Sequence, residues 1–432
     1  MNVDNNKQKE LIKSLAIELN SSKKNYFLEG ISKVPVSGKV FDEKDFEALF
    51  SACAEGWITE GEFTSNFEKG ISNYLDIRHS VFVNSGSSAN LLALSALKIL
   101  NQIEEGSEII TCAVGFPTTI NPIIQNNLVP VLVDIDLNTL NINTDLIEEN
   151  ISKKTKGIVI AHTLGIPFDV ERIQKICKKY DLFLMEDNCD SLGSKYNNQF
   201  TGTFGDISTL SFYPAHHITT GEGGMVLTNN PKLKKIIKSL RDWGRDCYCP
   251  SGVDNTCKRR FEWEMGGLPY GYDHKYIYST IGYNLKATDI QAALGISQLQ
   301  KLDHFIKRRK ENYKYLKDKF QIFDDYFEFV KIDKKQDPSW FGFPLLIKNK
   351  SLDRRELLLH YEKSLIGTRL LFGGNITKQP AYENINFKTN GDLQNSSIIT
   401  DNLFWLGVYP GLTFEMLDYI TNKTAEFFAK KW

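Results

Sequence analysis

Seven short runs rich in β-branched residues fall between about residue 75 and residue 230: SVFVNS, EIITCAV, PVLVDID, GIVIAH, LFLMED, STLSFY and MVLTNN. Helix-like stretches separate most of them, such as SSANLLALSALKIL after the first and VERIQKICKKY before LFLMED. Parallel strands need a crossover of about that length, so the alternation predicts an α/β fold with a mainly parallel seven-stranded sheet. Ligands of such sheets gather at the carboxyl ends of the strands. The polar residues just after each run are therefore the ones to weigh for chemistry.

The remaining chain frames this core. Residues 1–40 read as an N-terminal helical extension, and MNVDNNKQKELIKSLAIELN has neither the apolar core of a signal peptide nor that of a membrane span. Residues 41–300 are expected to form the large domain, with a cysteine-rich loop inserted at 241–275, and 301–432 a smaller α/β C-terminal domain. From Ala287 apolar residues recur at helical spacing for over thirty positions, with Thr288 or Asp289 as the cap. A formal net charge of −1 gives no electrostatic ground for a nucleic-acid or membrane partner. Any phosphate must be held locally, in what reads as a cytoplasmic protein.

Three stretches carry candidate chemistry. NSGSSAN (84–90) follows the first strand and opens a helix; Gly86 lets the backbone approach a ligand, and the exposed amides favour an anion, although serine capping alone also explains the pattern. LFLMED ends in Glu186 and Asp187, and an aspartate there suits a protonated pyridine nitrogen or an ordinary salt bridge. Seven cysteines without an export signal argue against a disulfide framework. Cys189, Cys247, Cys249 and Cys257 form C-x57-C-x-C-x7-C, a spacing that by itself leaves zinc, an iron–sulfur cluster and a reactive loop open, while Cys53, Cys112 and Cys177 read as core residues.

NSGSSAN, AVGFPTT, AHTLGIPFD, MEDNCDSLG, SFYPAHHITTGEGGM and IGYNLKATDIQAALG, in this order, resemble the sugar-aminotransferase family acting on nucleotide-linked keto-sugars. The resemblance covers most of the chain from about residue 40 and implies the aspartate-aminotransferase fold (fold type I pyridoxal phosphate enzymes). It puts the backbone of Gly86 and Ser87 and the side chain of Ser211 on the cofactor phosphate, Phe116 on the pyridine ring and Asp187 on its nitrogen. Asn284 would complete the phosphate site from the partner of a homodimer.

Ordinary members keep a cofactor-attaching lysine where this chain has His216. Histidine forms no stable imine, so the cofactor is expected as free pyridoxamine 5'-phosphate, with His216, ordinarily titrating near about 6.5, as the base. His217 reads as structural. This substitution resembles two 3-dehydrase subgroups, one metal-free and one iron–sulfur dependent. The cysteine spacing is similar to that of the second, which implies a [2Fe-2S] cluster on Cys189, Cys247, Cys249 and Cys257, a nucleotide-linked 4-keto-6-deoxyhexose substrate such as CDP-4-keto-6-deoxy-D-glucose, and a flavin and iron–sulfur NAD(P)H reductase.

Arg241, Arg245, Lys258, Arg259 and Arg260 form a candidate docking face for that reductase, or simply a solvated loop. Arg369, Asn375, Lys378 and Gln379, in TRLLFGGNITKQPAY, are candidate substrate contacts. The competing readings are a cluster-free 3-dehydratase of a GDP- or dTDP-linked sugar and a catalytically dead homologue.

Overall fold

A computed structural model describes residues 2–21, 26–389 and 391–429. All seven expected strands form one sheet, in the order His79–Val83, Gly224–Thr228, Ile207–Ser211, Phe183–Asp187, Thr155–Ala161, Glu108–Cys112, Val129–Val133. Gly224–Thr228 is antiparallel to both neighbours, because the loop before it returns directly as a hairpin; the other pairs are parallel. Phe183–Asp187 is buried at every position, as expected of a central strand covered on both faces. The sheet has eight strands rather than seven. Lys388–Thr389, from the C-terminal part of the chain, adds to Val129–Val133, and Lys388 Nζ lies 2.5 Å from the buried Glu108.

The expected helix after Ala287 is two helices, Asp289–Leu299 and Leu302–Phe320. Thr288 caps the first in a box with Gln291. Asp289 instead caps a different helix: it accepts from the amides of Gly61 (2.8 Å), Thr64 (3.0 Å) and Phe63 (3.2 Å), at the start of Glu62–Leu75. Between the two helices Lys301 breaks the pattern, its ammonium held by Asp42 and Asp45.

A second, antiparallel sheet orders Phe327–Glu328, Gly342–Ile347, Leu403–Gly407 and Thr368–Arg369. Its core includes Leu316, Phe343, Phe404 and Leu417, and also Val34 and Val36 from near the N-terminus. The helix Asn2–Ser21 is exposed along most of its described side chains, with Ala16 buried. Of the three cysteines expected in the core, Cys177 is buried and Cys112 half-buried, but Cys53 is exposed on the polar side of its helix. No helix among the described residues is long and apolar enough to cross a membrane.

Candidate active site

The carboxyl ends of the large sheet open into a cavity of about 1190 Å³. Gly86, Ser87, Phe116, Asp187, Cys189, Ser211 and His216 line it from the sheet side, and Arg369 and Gln379 from the C-terminal side. Thus nine of the candidate residues meet in one space although they span nearly three hundred positions of sequence.

At one end Ser85 caps the helix Gly86–Leu100, its hydroxyl accepting from the Ser88 amide at 3.1 Å. The first-turn amides of Gly86 and Ser87 have no intrahelical acceptor and face the cavity as an anion site. A Cβ at Gly86 would stand 2.5 Å from Ser211 Cβ, so the corner admits only glycine. Gly86→Ala is expected to cost about 1–3 kcal/mol of stability, the usual cost of overpacking; urea unfolding checks it.

On the floor Asp187 is buried and fixed. Its Oδ2 accepts from Asn90 Nδ2 (2.9 Å) and Thr119 Oγ1 (2.6 Å), and its Oδ1 from the Cys189 amide (3.2 Å). Glu186, one residue earlier, points to the opposite face. There it accepts from the amides of Gly202, Phe204 and Gly205 at 2.7–2.8 Å and lies 2.9 Å from His162 Nε2. The Phe168 amide donates to His162 Nδ1, which leaves Nε2–H to donate to Glu186. Glu186 therefore holds a loop, and Glu186→Ala, which strands four buried donors, is expected to cost about 3–5 kcal/mol in urea unfolding.

His216 sits at the cavity wall with Nδ1 3.5 Å from Asp190 Oδ1 and its ring 5.2 Å from Phe341. Burial, then the nearby Arg309 cation, push its imidazole down to about 4, with the Asp187 carboxylate opposing. The expected titration near 6.5 does not survive in this environment: the ring is neutral across the physiological range. His217 is buried, with Nε2 2.8 Å from the Ser339 carbonyl, and belongs to the packing.

Two residues of this wall were not among the sequence candidates. Arg309, from the helix Leu302–Phe320, is buried and donates to the carbonyls of His216 (3.0 Å), Ala215 (3.4 Å) and Trp340 (3.1 Å), so a guanidinium clamps the loop that carries His216. Burial pushes it down to about 9. Asp190 lines the cavity, its carboxyl raised well above the usual range by burial and by Asp187. Arg309 lies in the charge-rich run IKRRKEN, where nothing marks one arginine as buried. Asp190 stands three residues after Asp187 in the same post-strand segment, which was the available signal.

The rim segment 368–382 is tied to the sheet by Gly373 N to Gly115 O (3.1 Å) and Ile376 N to Ala113 O (2.9 Å). That brings Phe372 edge-on to the half-exposed ring of Phe116, at 5.9 Å. Asn375 and Lys378 do not line the cavity: Asn375 is buried and caps the turn Ile376–Lys378, and Lys378 is exposed outside. Asn284 is exposed and bridges Asp242, also outside.

The four cysteines are not brought together. Cys257, Cys247 and Cys249 converge on His274, their Sγ atoms 3.5, 3.7 and 4.0 Å from Nε2, while Cys189 stays at the cavity floor. Two thiols and an imidazole, Cys247, Cys249 and His274, make a soft donor set suited to a metal centre, with the Cys257 thiol 3.5 Å from the same ring. Of the five basic residues expected on a docking face, Arg241 is buried against Glu60, Asp242 and the Phe82 carbonyl, and Arg260 is paired with Asp254 and Asp273. The face is thus smaller than its sequence suggests.

Residues 39–425 match the DegT/DnrJ/EryC1/StrS aminotransferase family. The chain belongs to this family. Among curated relatives, it is 51% identical over 407 residues, 93% of each chain, to the lipopolysaccharide biosynthesis protein RfbH of Salmonella typhimurium. It is 50% identical to the dTDP-4-dehydro-2,6-dideoxy-D-glucose 3-dehydratase of Saccharopolyspora spinosa, covering 94% of this chain and 88% of that protein. Among solved structures, the Escherichia coli GDP-4-keto-6-deoxy-D-mannose-3-dehydratase with bound hydrated PLP superposes with a TM-score of 0.82 at 30% identity, covering 90% of this chain and 98% of that one. Within the family the fold is that of the type I pyridoxal phosphate enzymes, with the cavity where such sheets bind ligands.

Proposed function

We propose that the chain is a pyridoxamine 5'-phosphate- and [2Fe-2S]-dependent 3-dehydrase of a nucleotide-linked 4-keto-6-deoxyhexose, CDP-4-keto-6-deoxy-D-glucose, acting as a homodimer in 3,6-dideoxysugar formation for surface polysaccharide. One observation carries the reading. A neutral imidazole, His216, faces the same cavity as the fixed carboxylate Asp187, and no lysine lines that cavity among the described residues. The 3-dehydratase and lipopolysaccharide relatives support it.

The cavity suits the cofactor: the first-turn amides of Gly86 and Ser87 and the fixed Asp187 carboxylate line the same space. When bound, pyridoxamine phosphate supplies an amine for the sugar ketone and an electron-withdrawing ring. The Gly86 and Ser87 amides and the Ser211 hydroxyl would hold the phosphate, Phe116 would pack against the ring, and Asp187 would favour a protonated ring nitrogen. His216, already neutral, accepts a proton at Nε2 while Arg309 fixes its backbone. Phe341 and Trp405 help exclude water, and Arg369 and Gln379 meet the sugar nucleotide.

Removing the C3 hydroxyl as water and leaving a 3-deoxy ketone consumes two electrons. The thiols of Cys189, Cys247, Cys249 and Cys257 would hold the cluster, which would supply one-electron chemistry, with a flavin and iron–sulfur NAD(P)H reductase as the proposed electron source. The test is anaerobic purification with iron and sulfide analysis, followed by incubation with CDP-, GDP- and dTDP-4-keto-6-deoxyhexoses with and without reductase. About two irons per chain, lost in Cys249→Ser, and reductase-dependent turnover of the CDP sugar are expected. An iron-free chain that still dehydrates overturns the cluster, and preference for another nucleotide overturns the substrate.

A further inference from the structure

A [2Fe-2S] centre takes four protein ligands, and the described chain gathers only three of the four expected thiols. Cys247 and Cys249 group with His274, Cys257 meets the same ring at 3.5 Å, and none of the three thiols lines the cavity that Cys189 faces. Both sides are held by backbone bonds. The Cys189 amide donates to Asp187 (3.2 Å) and the Asn188 amide to the Thr209 carbonyl (3.0 Å). The loop is pinned by Asp246 N to Ile277 O (3.0 Å), Ser279 N to Asp246 Oδ2 (2.8 Å) and Trp243 N to Tyr283 O (2.6 Å). As folded, the chain keeps Cys189 on the cavity and its three expected co-ligands off it.

The loop also presents an unpartnered apolar face. Tyr248, Tyr276, Tyr278 and Ile281, the last 97% exposed, stand on segments joined to one another by the bonds above. Trp57 and Ile58 adjoin them: the Trp57 ring lies against Gly252, and Ser251 bonds Glu60 at 3.2 Å. Exposed aromatic and aliphatic side chains gathered on neighbouring segments suit a protein interface. Asn284, exposed and bridged to Asp242, follows directly on these segments. One occupant supplies what each side lacks: a second copy of this chain, which brings a cavity Cys189 to the loop thiols and loop thiols to the cavity Cys189.

We propose that each cluster is ligated across a twofold interface, by Cys247, Cys249 and Cys257 of one protomer and Cys189 of the partner subunit, with His274 packed beside the thiols. A twofold axis makes the contact reciprocal, so a dimer holds two such centres, each beside the cavity that contains the contributed Cys189. The inference rests on the cluster reading above.

The test uses mixed dimers. Chains carrying Cys189→Ser and Cys249→Ser, with different affinity tags, are co-expressed, and the doubly tagged dimer is purified and reconstituted anaerobically with iron and sulfide. Ligation across the interface leaves one complete set in the mixed dimer, namely Cys189 of one chain with the three loop thiols of the other. Its iron content should be about two per dimer, half that of the wild type, with matching visible absorption, while both variant homodimers hold none. Ligation within a chain leaves no complete set, so an iron-free mixed dimer beside an iron-loaded wild type overturns this inference alone. A Cys189→Ser homodimer that keeps its cluster while His274→Ala loses it overturns it in favour of histidine as the fourth ligand. An iron-free wild type overturns the cluster reading and the inference together.

Discussion

Replacing His216 by asparagine is expected to lower turnover by about 10²–10⁴-fold, the usual contribution of a positioned acid or base, while cofactor affinity changes little. The imidazole touches neither Gly86 nor Ser87, so phosphate binding should not notice its loss. Steady-state kinetics and a cofactor titration on the same preparation separate the two effects. The pH dependence follows from burial. The ring is held at about 4, so the base is ready throughout pH 5 to 8, and the acidic limb of the rate profile should lie near 4 rather than near about 6.5. A limb near 6.5 would place the ring in solvent.

The same displacement links folding to pH. The unfolded imidazole binds a proton near about 6.5 and the folded one only near about 4, so this contribution to stability is complete above 6.5 and declines as pH falls from there toward 4. Urea unfolding of wild type and His216→Asn at pH 7 and pH 5 reads the sign: the wild type should lose more stability on acidification than the variant.

Asp187→Asn is expected to reduce turnover by at least about 10²-fold with a much smaller effect on cofactor binding, since a fixed charge opposite the reacting ring is removed while the phosphate contacts remain. The geometry explains why asparagine does not substitute well. Asn90 and Thr119 both donate to one carboxylate oxygen and the Cys189 amide to the other, so an amide NH2 must meet at least one donor. That mismatch adds about 1–3 kcal/mol of destabilisation, measurable by urea unfolding. Equal turnover in the variant would remove the carboxylate from the electrostatics of the site.

Much of this site was legible because its parts are local. The seven runs are nearly continuous apolar segments, since central strands are covered on both faces, and their ends place Gly86, Asp187 and Ser211 without reference to any distant residue. The turn after Ile207–Ser211 likewise delivers His216 by chain connectivity alone. What the pattern misled about was continuity and company. Thirty residues at helical spacing became two helices that part at Gln300 and Lys301, where Asp42 and Asp45, some 250 residues earlier, meet the Lys301 ammonium.

The sequence by itself determined the order of strands along the chain, the glycine, carboxylate and imidazole that face the ligand, and the stock of thiols. The tertiary structure alone decided that Arg309 clamps the His216 loop, that Asp289 caps a helix far away in sequence, that Arg241 is buried and that Cys189 stands apart from the other three cysteines. Periodicity and turn chemistry act over a few residues and leave a mark in the sequence. Burial, and the partners that burial imposes, depend on which distant segments meet, and those are what shift the imidazole to about 4 and divide the thiols between a cavity and a loop.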